Sequence, residues 1–232
     1  MLELFPQGFE ELDRADGVEL VAYTDASGEE RLWAAFGQVA AEDVAGGWEE
    51  RWRDFHRPVR VGSLWIGPPW EKPPPDADAV VVDPGRAFGT GGHATTRLCL
   101  ELLADLGRGS LLDVGCGSGV LAIAAARLGY APVTALDHDE FAVEATRRNA
   151  AANAVELDCR LADAFDGELP ATDVALVNIS PQAVAQLLPL LAARTVVTSG
   201  YLERDRPEAN GFRHERRLAA DGWAADVFRR EE

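Results

Sequence analysis

From about residue 80 to the C-terminus, the apolar positions of this chain fall into two alternating patterns. Short apolar runs read as strands: "AVVVD" (79–83), "LLDVG" (111–115), "VTALD" (133–137), "LDCRL" (157–161), "VALVN" (174–178) and "TVVTSG" (195–200). Between them the apolar residues recur every three or four positions. That spacing predicts helices from Thr95 or Thr96 to Leu106, over 119–128, over 139–152 and over 181–192. The end of the chain, "FRHERRLAADGWAADVF", reads as two strands joined at Asp221-Gly222. Strands alternating with helices imply a parallel sheet covered on both faces, and the closing hairpin adds an antiparallel strand to it.

Upstream the pattern is different. "GVELVAYTD" (17–25) alternates as a strand does, "ASGEE" makes a turn and "RLWAAFG" follows, so residues 1–45 read as a small α+β domain. Gly46-Gly47 breaks the pattern. Trp48, Trp52 and Phe55 then share one face of a predicted helix over 48–56, with Glu49 and Glu50 in its first turn and Pro58 past its end. "GPPWEKPPPDADA" (67–79) is a proline-rich loop. The expected organisation is therefore a small domain (1–45), a linker helix and loop (46–79) and a main α/β domain (80–232). Five of the six tryptophans precede residue 71 and are assigned to core and interdomain packing.

Composition narrows the function. The 232 residues carry a formal charge of −17, with 14 Asp and Glu against 5 Arg in residues 1–57 and a single lysine, Lys72. Neutralising phosphates takes clustered cations, so direct binding to nucleic acid is not expected. An acidic surface is either plain solubility or a platform for a basic protein partner. The apolar runs are too short to span a bilayer, and the acidic "MLELFPQGFEE" lacks a signal-peptide core. The three cysteines form no CxxC pair, which fits a reducing cytoplasm.

Two glycine-rich runs lie almost back to back, "DPGRAFGTGGHATTRLCLELL" (83–103) and "LLDVGCGSGVLAIAAA" (111–126). The second ends a predicted strand and opens a helix, where parallel sheets bind ligands. Asp137 ends the next strand, and a carboxylate there accepts both hydroxyls of a ribose. The glycines at 115, 117 and 119 follow G-x-G-x-G and not the G-x-G-x-x-G of dinucleotide sites, and neither run has the Lys-Ser/Thr of a P-loop. An adenosine ligand without phosphate fits, and S-adenosyl-L-methionine (AdoMet) is the expected cofactor. Asp163 follows the strand "LDCRL" near the expected adenine; the alternative is a solvated loop acid. Asn178 ends the strand "VALVN" and opens "NISP", with Ser180 as N-cap and Pro181 at the first helical position; the alternative is a turn residue. His93 is a candidate ligand or catalytic base. No metal is expected: HExxH and Cys/His spacings are missing, and Asp137-His138-Asp139 is a weak candidate.

On "DPGRAFGTGGHATTRLCLELL" the chain resembles the bacterial ribosomal protein L11 methyltransferase family (PrmA), which are class I AdoMet-dependent protein methyltransferases. The family signature DPG-x-AFGTG-x-H-x-TT is far more selective than "DVGCGSG", and this chain has Ala94 where the family commonly has Pro. The resemblance covers roughly residues 48–232. It implies an α/β Rossmann-like fold with a mostly parallel seven-stranded sheet and a C-terminal antiparallel hairpin. AdoMet contacts are implied at Thr96, Gly115, Asp137 and Asn178, with Gly117 and Asp163 beside them, and the first glycine run is implied to cover the cofactor that the second cradles. The implied activity is methylation of amines, lysine or N-terminal, on ribosomal protein L11 by a cytoplasmic monomer. In the mechanism that follows, the Asn178 oxygen and a neighbouring carbonyl accept the amine's N–H bonds. Alternatives are a lysine methyltransferase of another protein, such as the electron-transfer flavoprotein beta subunit, and a non-catalytic AdoMet-binding module. Residues 1–45 are too few for the family's ferredoxin-like domain, which implies either a reduced recognition domain or a lost start.

Overall fold

The structure, a computed structural model, describes residues 10–14, 17–21, 32–33, 35–37, 39–40, 57–83 and 91–231. The helix expected at 48–56 and the part of the first glycine run at 84–90 lie outside the described residues. The chain divides into two compact units, Met1–Arg51 and Trp52–Glu232. In the first, β1 (Glu10–Arg14) and β2 (Gly17–Val21) pair antiparallel, with Glu10 opposite Val21 and Arg14 opposite Gly17. Residues 32–33 and 35–36 are helical.

The second unit opens with a three-stranded sheet of β3 (Val59–Val61), β4 (Leu64–Gly67) and β5 (Asp78–Val81), in that order. Two of these strands lie in the stretch expected to be linker, and "AVVVD" contributes to this sheet instead of the main one. Both strands are short, and β4 is buried at all four residues, so neither length nor alternation marks it. Gly62, at φ +57, makes the tight turn between them.

The main sheet has seven strands in the order β11-β12-β10-β9-β6-β7-β8. They are β6 (Leu111–Val114), β7 (Val133–Asp137), β8 (Asp158–Leu161), β9 (Thr172–Asn178), β10 (Ala193–Leu202), β11 (Phe212–Ala220) and β12 (Trp223–Arg230). β12 runs antiparallel to both of its neighbours, and the other pairings are parallel. The helices are α1 (Ala94–Asp105), α2 (Val120–Arg127), α3 (Glu140–Ala152) and α4 (Pro181–Leu187). α4 is shorter than the expected 181–192. Pro189 lacks the N–H that another α turn needs, and the chain tightens into a 3-10 turn at Leu188–Leu190.

β6 is buried along its length, and α1 and α2 contribute Leu98, Leu102, Leu103, Leu121 and Ile123 to the core over it. The sheet's other face buries Leu112, Val114, Ala175 and Val177 against Val184, Leu187 and Leu188. Strand order reverses at β6, between β7 and β9. That reversal opens a crevice beyond the C-terminal ends of the strands, where ligands of such sheets bind.

Candidate functional site

A cavity of about 600 Å³ occupies that crevice. All seven residues singled out from sequence line it: His93, Thr96, Gly115, Gly117, Asp137, Asp163 and Asn178. Four strand ends and one helix start deliver them.

β6 ends at Val114, and the N–H groups of Gly115 and Cys116 both donate to Leu136 O, at 2.9 and 3.1 Å. The chain then turns sharply, with Gly119 N donating to Cys116 O at 2.8 Å. Gly115 has φ +74, and a Cβ on it would lie 2.8 Å from the Ile179 side chain. Glycine therefore lets the loop lie flat beside the end of β9. The Cys116 thiol is pushed up to about 12, first by burial and then by the Asp113 charge, with Thr146 opposing. It stays a thiol at neutral pH and serves as a small wall residue.

Asp137 is buried at the end of β7. Oδ2 accepts from Gly117 N at 3.0 Å, and Oδ1 accepts from Asp139 N at 3.0 Å. Each oxygen keeps a second lone pair, so the carboxylate is oriented by the second glycine loop and still able to receive a pair of hydroxyls. Asp163 lies on the loop after β8, and its Oδ1 accepts from Phe165 N at 2.9 Å. This is a local turn that also seats the half-exposed Phe165 ring in the cavity wall.

Asn178 closes β9 opposite Ser199 of β10. Ser180 Oγ caps α4 by accepting from Ala183 N at 3.4 Å, with Pro181 at the first helical position. The close approach of the two strand ends depends on Gly200. Its φ is +99, and a Cβ there would sit 1.8 Å from Ile179 O.

His93 caps α1: Nδ1 accepts from Thr95 N at 3.4 Å and lies 2.8 Å from Thr95 Oγ1. Its ring meets Trp223 edge-on, with centroids 4.8 Å apart and planes at 70°. Trp223, at the start of β12, lines the cavity together with Leu121, Ile179 and Leu187. The sequence reading missed Trp223 because the residue comes from the far hairpin, and it missed Phe165 and Ile179 because nothing local distinguishes them from loop apolars. A tryptophan straight after the Asp221-Gly222 turn was the one available signal.

These residues suit an adenosine-type cation. Asp137 and Asp163 are carboxylates, and among the described lining residues there is no Lys or Arg to meet a phosphate. The glycine loop presents bare backbone in place of side chains.

Comparison with known proteins identifies the family. The sequence model of the family described as ribosomal protein L11 methyltransferase (PrmA) matches residues 11–231. A ribosomal protein L11 methyltransferase of Pelobacter propionicus is 43% identical over 219 residues, which is 83% of this chain and 68% of that protein. One from Legionella pneumophila subsp. pneumophila is 40% identical over 198 residues, 78% of this chain and 68% of its own. A crystal structure of a ribosomal protein L11 methylase from Lactobacillus delbrueckii subsp. bulgaricus superposes with a TM-score of 0.67 at 28% identity, covering 76% of this chain and all of that one.

Proposed function

The chain belongs to the ribosomal protein L11 methyltransferase family, and from that premise we propose that it transfers methyl groups from AdoMet to amine nitrogens of ribosomal protein L11. The observation that supports this most directly is the meeting of Asp137, the Gly115–Gly117 backbone and Asn178 in one cavity that holds carboxylates and neither Lys nor Arg among its described residues.

The cofactor supplies an electrophilic methyl on a sulfonium, and the protein's task is to hold a neutral nitrogen in line with it. In this reading Asp137 receives the ribose hydroxyls, and Asp163 and Phe165 border the adenine. The turn at Gly115–Gly117 and the start of α1 at Thr96 hold the amino-acid end. The Asn178 side-chain oxygen and a neighbouring strand-end carbonyl accept N–H bonds from the substrate amine and aim its lone pair.

Deprotonating a lysine at neutral pH costs about 4–5 kcal/mol, against about 1 kcal/mol for an α-amine. A positive charge beside the amine lowers that cost. We assign His93 to the pocket wall with Trp223 and not to proton removal, because its Nδ1 is engaged in the α1 cap. The charge of −17 suits a basic protein partner. The reading places the enzyme in the cytoplasm as a monomer that makes no direct nucleic-acid contact.

The test is intact-mass analysis of ribosomal protein L11 incubated with the protein and AdoMet. Whole methyl increments are expected. Asp137→Ala should abolish them through lost AdoMet binding, whereas Asn178→Ala should lower kcat by about a hundredfold with substrate binding little changed. Full turnover by Asn178→Ala would remove the amine-orienting role. AdoMet binding without any methyl increments would move the substrate to another protein.

A further inference from the structure

α3 and its C-cap carry three polar residues on the face turned inward, Thr146, Asn149 and Asn153, each buried. Their spacing sets them one above another along the helix. What the two asparagines bind is main chain. Asn153 Oδ1 accepts from Val81 N at 2.8 Å, and its Nδ2 donates to Val81 O at 2.6 Å. Asn149 Oδ1 accepts from Asp83 N at 3.0 Å, and its Nδ2 donates to Asp83 O at 3.3 Å.

β5 is the edge of its sheet, paired with β4 on one side. On the other side the two carboxamides stand where a neighbouring strand would be. The dimensions match: helix residues four apart lie about 5–6 Å from each other, and alternate strand residues are about 6.6 Å apart.

The two asparagines differ in where their second donor goes. Asn153 Nδ2 returns to Asn149 O of its own helix, at 2.8 Å. Asn149 Nδ2 reaches Ser118 O at 2.9 Å. One helical turn back, Thr146 Oγ1 lies 3.0 Å from Gly117 O. Asn149 therefore ties together two segments separated by α1 and β6: Asp83, the first residue of the run "DPGRAFGTGG", and the turn of the second glycine loop. A carboxamide is rigid and planar, so the carbonyls of Asp83 and Ser118 are held at a fixed separation and angle.

We propose that Asn149 is a positioning residue of the cofactor site, setting the second glycine loop against the strand that leads into the first and so governing AdoMet affinity without touching the ligand. This rests on the reading of the cavity as the AdoMet site.

The experiment compares Asn149→Asp with Asn153→Asp by calorimetric titration with AdoMet and by thermal melting. Each substitution keeps the side-chain shape and the acceptor while removing the donated bonds, and each lowers Tm. Asn149→Asp should weaken AdoMet binding about tenfold or more, as loss of a buried amide's partners does. Asn153→Asp should stay within about twofold of the wild type. Equal weakening by both variants, in step with their Tm loss, would overturn the proposal and leave the cofactor reading intact. No AdoMet binding by the wild type would overturn both. Should Asn149→Asp fail to fold, amide exchange on the wild-type protein decides. AdoMet should slow exchange at Asp83 N–H more than at Val81 N–H, and an equal effect at the two would refute the link.

Discussion

Asp113 offers a sharp test of how burial and helix electrostatics balance beneath the glycine loop. It sits within β6 at 1% exposure, with Oδ2 lacking a hydrogen-bond partner among the described residues. Burial raises its pKa to about 7; the Ala122 N–H opposes that and the Asp137 charge adds to it. In the unfolded chain the group titrates near 3.8. Between those values the native state holds a proton that the unfolded state has released. Stability from this group is therefore full below about pH 4 and falls as pH rises, levelling off above about 7. The gap corresponds to about 4 kcal/mol. Asp113→Asn keeps the oxygen that faces Ala122 and removes the titration. Urea unfolding of both proteins from pH 4 to 8 isolates the contribution of Asp113, since every other titrating group is shared. The wild type should lose about 4 kcal/mol relative to the variant across that range. Parallel curves would refute the reasoning. They would mean that the N-terminus of α2, which favours an anion, outweighs the desolvation.

Asp226 should behave with the opposite sign. Burial alone would raise its pKa, but hydrogen bonds from Arg217, Tyr201 and His214 bring it below the ordinary value. Its contribution is present above about pH 4 and lost as acid protonates it, so Asp226→Asn should flatten the acid limb of the unfolding curve. Asp226→Ala, which strands Arg217 with its partner gone, should cost about 3–5 kcal/mol in the same assay. Gly200→Ala forces a Cβ to 1.8 Å from Ile179 O at φ +99. It should lower stability by about 3 kcal/mol, seen as a Tm drop of roughly 10 °C. It should also weaken methyl transfer by displacing the peptide that follows Asn178.

The α/β series from α1 to β12 was legible because each element repeats one period over enough residues for its buried face to show. β3 and β4 were not: three and four residues give no period, and the prolines beside them point to loop. The site divided along the same line. Asp137 and Asn178 end strands whose C-terminal position can be read from the pattern, so sequence order predicts where they meet. Trp223 reaches the cavity only because β12 inserts between β10 and β11, a pairing that local sequence does not encode. Asn149 and Asn153 were hidden for another reason. Polar residues on a helix are normally assigned to its wet face, and here they stand in for a missing strand. Their signal was faint but present, in the burial expected of neighbouring Ala145 and Ala150 on the same side.

The closeness of the two glycine runs in sequence then has a geometric cause. α1 starts at the cavity, where His93, Thr95 and Thr96 line the wall, and carries the chain about 18 Å away over 12 residues. β6 brings it back antiparallel to that path and delivers Gly115 to the same cavity. This short helix and strand cover their own core face on the way out and back, because Leu98, Leu102 and Leu103 of α1 pack in the same core as Leu111. The second run must therefore follow the first closely. What α1 and β6 leave to other elements is the angle between the two returning segments. α3 supplies this from outside the excursion through Asn149. A site built from adjacent stretches of sequence thus takes its internal geometry from a residue more than thirty positions downstream.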